Sequence, residues 1–186
     1  KYVQEMCDLM GIHEIGLHHD ESKFYDDEFD IYHWATGEKS PHDVARDELG
    51  YSPSWVHHKA RNQHHWEYWT DFNEATPNGD GTFTITCKCV KMPYDRVIEM
   101  FCDFVGAGKA YSKEKWTPET PWNYWEDKCE GKRAMHKESE YLIKKLLWNL
   151  HEYGLDHFIE WYNNIKEYLQ VQYDADILSD ESFEEN

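Results

Sequence analysis

Four histidines, His57, His58, His64 and His65, fall within nine residues in the run Ser54–Trp69, SWVHHKARNQHHWEYW. An imidazole packed into a core needs a partner for each ring nitrogen, and an unmatched buried polar group costs roughly 1–3 kcal/mol. A chain that folds this run against its interior must therefore supply several partners in one place. Imidazole is the commonest neutral metal ligand, so a divalent cation would satisfy several rings at once. The competing reading is a polar, His-rich helix face with tryptophans packed behind it. Pro53 suits the first turn of a helix, with Ser52 as its cap. Read as one helix, the run puts His58, Asn62, His65 and Trp69 on one face and His57, Arg61, His64 and Tyr68 on the next. His58 and at least one of His64 and His65 are the preferred ligands.

The rest of the chain sets the context for such a cluster. Its 186 residues include 9 Trp and 13 Tyr, enough large aromatics to build a core in an otherwise very polar sequence. A single helical metal-binding domain over residues 1–172 is expected, followed by an acidic, flexible tail over 173–186. The formal charge of −18 argues against a nucleic-acid polymer as partner, because phosphate backbones want a basic stripe. A small phosphoester would need a local reversal of sign, which a metal ion supplies most directly. No apolar run approaches the roughly 20 residues of a membrane span, and no signal peptide is visible. Five cysteines without a regular framework read as reduced thiols, and a cytoplasmic setting is expected. Cys87 and Cys89 could be half a metal site, but no second pair completes it, and strand packing is the favoured reading.

The punctuation predicts a mainly α fold. Residues 1–10 read as a helix stopped by Gly11, and a short segment then runs into His18-His19-Asp20. Residues 22–24 read as a turn, 26–35 as a helix ended at Gly37, and 37–52 as loop. Residues 73–81 form a turn-rich loop, and Thr82–Val90 alternates with period 2, giving a strand with Phe83, Ile85, Cys87 and Cys89 on one face. A small β-hairpin insertion around 70–91 follows. Pro93 opens a helix read as ending at Gly106, residues 107–131 read as irregular, and two amphipathic helices over about 132–153 and 155–172 are broken at Gly154.

Two further elements can join the histidine cluster. In His19-Asp20 both side chains can reach a metal, and Asp20 can bridge to a second one. Lys23, three residues on, could meet a substrate oxygen. Asp103, in EMFCDF, sits beside the apolar stripe Val97, Met100, Phe101 and Phe104 and follows Glu99 by four residues. It is either a boundary residue in water or an acid held by a cation inside.

The order His-Asp, paired His, then a later helical Asp resembles the HD-domain superfamily of metal-dependent phosphohydrolases. HDESK at 19–23 is similar to the HD-x-x-K element of the cyclic-dinucleotide phosphodiesterase branch, and His64-His65 with Glu67 resembles that branch's His-His pair, where the Glu follows directly. The motifs HDxSKF and HHxxxNxHHWEYW, with MPYDRVIEMFCDFVGAG, look like an uncharacterised family of phage and bacterial proteins. The resemblance covers residues 1–125 or so and implies an HD-domain-like helical bundle in a bacterial or phage-infected cell. It implies His19, Asp20 and Asp103 as metal ligands, with Asp20 catalytic and bridging two ions, and His58, His64 and His65 around the second ion. Lys23 would be catalytic, on a phosphate oxygen. One or two ions of Mn, Fe, Co, Ni or Zn suit these ligands. The superfamily carries another His before the His-Asp pair, and His13 lies too close to serve. In the similar proteins a His commonly precedes the segment matching KYV, so its counterpart would lie upstream of Lys1. The implied function is hydrolysis of a small phosphoester, a nucleotide or cyclic nucleotide. The alternatives are an HD-type di-iron oxygenase and a non-catalytic phage protein that binds a ligand or host protein.

Overall fold

A computed structural model describes residues 1–35 and 40–178. The expected stop at Gly37 and the end of the expected tail, 179–186, lie outside the described residues. Among the described residues are eight α-helices and one two-stranded antiparallel sheet. In chain order they are α1 (Tyr2–Met10), α2 (His13–His18), α3 (Asp26–Phe29), α4 (Pro41–Leu49), α5 (Pro53–Arg61), β1 (Thr70–Pro77), β2 (Phe83–Cys89), α6 (Tyr94–Ser112), α7 (Thr120–Lys128) and α8 (Lys137–Asp174). The fold is mainly α with a small hairpin, as the sequence predicts. No helix among the described residues is long and apolar enough to cross a membrane.

The core lies where α6, α8, α1 and α7 meet. Val97, Ile98, Phe101, Cys102 and Val105 recur at helical spacing and bury one side of α6. They meet Leu142, Ile143, Leu146, Leu147, Leu150, Phe158 and Tyr162 of α8, Met6, Cys7 and Met10 of α1, and Trp125 of α7. Within α8, Gly154 has φ 74° and ψ 171°, a break that only glycine makes without strain, so the chain kinks there and the expected division into two helices is present inside the span Lys137–Asp174. Tyr173 and Leu178 are buried at its end, and Tyr173 donates to the Met92 carbonyl. Packing thus continues past the expected boundary at 172.

Several local expectations are corrected. Residues 41–49 are helix, not loop: Pro41 sits at the first turn, where its missing N–H is harmless, and Ala45 is fully buried. Gly106 does not stop α6. A Cβ there would lie 2.4 Å from Val3 Cγ2 and 2.7 Å from the Val3 nitrogen, so this glycine lets α1 cross close to α6, which runs on to Ser112. Residues 107–131, read as irregular, contain the rest of α6 and all of α7. Residues 73–77, read as loop, belong to β1, which pairs Ala75 with Ile85 and Phe72 with Cys87 across a bulge between Phe72 and Glu74. The bulge returns Phe72 and Ala75 to one face, opposite Cys87 and Ile85. That face does not pack on the helices: Phe72, Phe83, Ile85 and Cys87 are exposed, and Cys89 is half-buried. All five cysteines are free.

Candidate metal centre

Four stretches of chain converge on one point. The first is the end of α2. The helix stops at His18, His19 takes φ −56° and ψ 125°, and Asp20 adopts the left-handed φ 60° before a short 3-10 turn over Glu21–Phe24. Asp tolerates that conformation better than most residues. The break turns two successive side chains, His19 and Asp20, inward together.

The second stretch is α5 with the turn after it, and here the sequence reading is corrected. The helix ends at Arg61 and does not run on to Trp69. Asn62 ends it by side-chain chemistry: its Nδ2 donates to the His58 carbonyl at 2.8 Å and to Ser22 Oγ at 2.7 Å. His64 and His65 therefore sit on a turn. Helix neighbours diverge by about 100°, so the turn lets both rings enter one site, with centroids 4.1 Å apart. His58 arrives from α5, its ring 4.8 Å from that of His65. Trp55 walls this side, 4.8 Å from His65 and 5.6 Å from His58. His57 points away and lies 3.5 Å from Asp27 on the exposed face. The third stretch is α6, bearing Glu99 and Asp103 one turn apart.

The ring nitrogens are sorted into two sides. On the outer side, His58 Nδ1 lies 2.8 Å from Glu28 Oε2, supplied by the fourth stretch, α3. His19 Nδ1 and His64 Nδ1 lie 3.0 and 3.1 Å from Glu99 Oε1. With Nδ1–H donated to a carboxylate, each ring turns Nε2 inward, where its lone pair can go to a cation in place of a proton. On the inner side, Asp20 Oδ1 lies 3.3 Å from His58 Nε2 and 3.5 Å from His64 Nε2. Asp20 Oδ2 and Asp103 Oδ1 lie 3.3 and 3.5 Å from His19 Nε2. His19 Nε2, Asp20 Oδ1, His64 Nε2 and His65 Nε2 are buried and lack a hydrogen-bond partner. Four orphaned lone-pair atoms in one place are what a cation would satisfy. Two donor sets share Asp20: Asp20, His58, His64 and His65, and His19, Asp20 and Asp103, each with donor atoms within 4.8 Å of one another. All six expected ligands thus come together.

The charges follow from the packing. Burial opposes a charge on His19, but the carboxylates of Asp103, Asp20 and Glu99 outweigh it and push its pKa up to about 12. Burial raises the carboxyl pKa of Asp20 and of Glu99, yet the imidazoles at hydrogen-bond range, His19 first in each case, carry both well below the usual carboxylate range. Asp103 is lowered to about 2 against its own burial, with His19 the main cause. Burial, aided by His64, holds His65 well below its ordinary value. Lys23 Nζ lies 2.5 Å from Asp20 Oδ2 at the exposed rim, where Asp20 and Asp103 raise its pKa against partial burial. A cleft of about 390 Å³ on the outer side is lined by His64 and Glu99 together with Arg61 and Arg96.

Sequence reading missed Glu28 and Glu99 as partners. The spacing of Glu99 to Asp103 was a signal for the latter, since residues four apart share a helix face. Nothing local marks Glu28, one of three consecutive acids in the first turn of α3.

Fold and site together define a mainly helical protein with a buried His/Asp/Glu cluster that could hold a metal ion. The chain belongs to a family of unknown function, DUF5662, which matches residues 1–149. No curated protein and no solved structure matches it.

Proposed function

We propose that the chain is a metal-dependent phosphohydrolase of HD-domain type, acting on a small phosphoester such as a nucleotide or cyclic nucleotide. The observation that carries this reading is the sorting of the imidazoles. His19, His58 and His64 each tie Nδ1 to a buried carboxylate and turn Nε2 toward Asp20. Such carboxylate–histidine pairs are the usual support of a metal ligand. The donors fit a divalent transition ion: imidazoles and carboxylates, with no thiolate among them. His19, Asp20 and Asp103 would hold one ion, and His58, His64 and His65 with the other oxygen of Asp20 a second. Ions held there would supply Lewis acidity toward phosphoryl oxygens and a water acidic enough to ionise near neutral pH.

The chain's own groups do the rest. Asp20 presents one oxygen to each donor set, which fixes their spacing. Lys23 is the cation at the rim, and on arrival of an anionic phosphoester its ammonium can leave Asp20 for a phosphoryl oxygen. That offsets the long-range repulsion expected from a chain of charge −18. Trp55 closes the site behind His58 and His65 and keeps water from that side.

The test is phosphate release or ester cleavage by Mn-, Co-, Fe- and Zn-loaded protein on nucleoside monophosphates, cyclic mononucleotides and cyclic dinucleotides. Lys23→Ala is expected to lower kcat/KM by about 10–100-fold, the loss of one charge-assisted contact of roughly 1.5–3 kcal/mol, with metal content unchanged. No turnover of any ester by any loaded form refutes the reading.

A further inference from the structure

We propose that Glu99 is a positioning residue shared by both halves of the centre, so that the two halves take up cations together and not independently. This rests on the metal-centre reading above and adds a regulation to it. One oxygen, Oε1, receives the Nδ1–H of both His19 at 3.0 Å and His64 at 3.1 Å. These rings belong to different donor sets, His19 with Asp20 and Asp103, His64 with Asp20, His58 and His65. The other oxygen, Oε2, accepts from Arg96 Nη1 at 2.8 Å, three residues back on α6. The side chain is 4% exposed, held by these three partners.

Glu28 provides the contrast. It accepts from His58 at 2.8 Å, from Ser22 at 2.8 Å and from Arg61 at 2.8 Å, and so steadies a single ring of a single donor set. The centre therefore has two carboxylate struts of unequal reach. A cation that fixes His19 also fixes Glu99, and through it His64. The second cation then has less to order, which is positive coupling. Outer carboxylates of this kind typically change metal affinity by about 10–100-fold.

The experiment is a titration of metal-free, full-length protein with Co(II), read by calorimetry and by the visible spectrum of the ion. Wild type is expected to take two ions in one steep transition. Glu99→Gln, whose one acceptor oxygen cannot face Arg96 and the two rings at once, is expected to weaken both ions by about 10–100-fold. Glu28→Gln is expected to weaken one ion by that factor and leave the other as in wild type. Ring ¹⁵N shifts provide a readout independent of metal: in the metal-free protein His19 and His64 should both carry a hydrogen-bonded Nδ1–H. Both should lose it in Glu99→Gln, and neither in Glu28→Gln. Should Glu99→Gln fail to fold by circular dichroism, Arg96→Gln keeps the carboxylate, frees it to rotate, and should weaken both ions equally. Two ions of unchanged affinity in Glu99→Gln, or a loss confined to one, overturns the shared strut while leaving the metal centre standing. Two independent transitions in wild type, or a single ion, do the same. No ion bound by wild type removes the centre itself, and the strut with it.

Discussion

Cations should stabilise this protein strongly. Four buried atoms, His19 Nε2, Asp20 Oδ1, His64 Nε2 and His65 Nε2, lack hydrogen-bond partners. At the low end of roughly 1 kcal/mol each, the three other than His19 Nε2, which the carboxylates of Asp20 and Asp103 face, leave about 3 kcal/mol of unmet polar demand in the metal-free fold. Binding to the native state alone adds about 2.7 kcal/mol at a free ion concentration of 100 Kd and about 4.1 at 1,000 Kd, the same scale. For a chain of this size each kcal/mol moves the midpoint by about 2–4 °C, so the expected rise is about 5–16 °C. The assay is thermal melting by circular dichroism on chelator-stripped protein, repeated with Mn(II), Co(II), Ni(II) and Zn(II). Ca(II), which prefers an all-oxygen shell, serves as control and should move the midpoint little. Asp20→Asn keeps the side chain's size and its tolerance of φ 60° but removes the charge shared by both donor sets. The metal-dependent rise should then shrink to under a third. A midpoint that no transition ion moves by more than about 1 °C would refute the reasoning, as would an equal rise in Asp20→Asn.

The remaining predictions concern packing, pH and specificity within the cluster. Gly106→Ala gains about 1 kcal/mol of helix propensity, but its Cβ meets Val3 backbone at 2.7 Å, and overpacking of about 3 kcal/mol wins. A net loss of about 2 kcal/mol in urea denaturation is expected, only partly rescued by Val3→Ala, and a gain in stability would disprove the close α1–α6 crossing. In the metal-free protein, Asp20, Glu99 and Asp103 titrate below their ordinary values of 3.8, 4.5 and 3.8. Depressed carboxylates contribute stability that is present above the unfolded values and lost as pH falls. Urea midpoints should therefore hold above pH 5 and fall between about pH 4.5 and pH 2. His19, raised to about 12, keeps its full contribution below pH 6.5 and does not add to that acid loss. His57→Ala, on the exposed face, should leave metal content unchanged, whereas His64→Ala should lose at least one ion by elemental analysis.

The inner donors were legible to unequal degrees. The paired histidines mark themselves, whereas His19-Asp20 is a weak signal alone and Asp103 reads equally as a boundary residue, so both enter as ligands through the resemblance to HD-domain proteins. The helices around them were legible where periodicity is long and ends are punctuated, as in α1, α6 and the break at Gly154 in α8. Punctuation misled where a residue has two uses. Pro41 opens α4 although a proline-bearing stretch reads as loop, and Gly106 is a contact although a glycine after an apolar stripe reads as a stop. The end of α5 at Arg61 was hidden for another reason. Asn62 stops it by reaching Ser22, forty residues away in sequence, and no window of local pattern contains that partner.

The outer carboxylates are a harder case. The chain has 37 acidic residues, and any of them could be a strut by residue type alone. What singles out Glu28 and Glu99 is burial against a ring nitrogen, 30 and 80 residues away in sequence. Their charge is tolerated inside because Arg61 and Arg96 hold the opposite oxygens at 2.8 Å. Each strut is thus an imidazole–carboxylate–guanidinium row, assembled by tertiary contact from residues that look like ordinary surface charge. The net charge of −18 overstates how hostile the centre is to anions, since Asp20, Glu28, Glu99 and Asp103 are faced there by Lys23, Arg61 and Arg96 and most of the acidic excess lies elsewhere in the chain. Candidate donors in such a centre can be proposed from motif and resemblance. The direction each donor faces cannot, because it is set by a second layer of residues that exists only once the helices have packed.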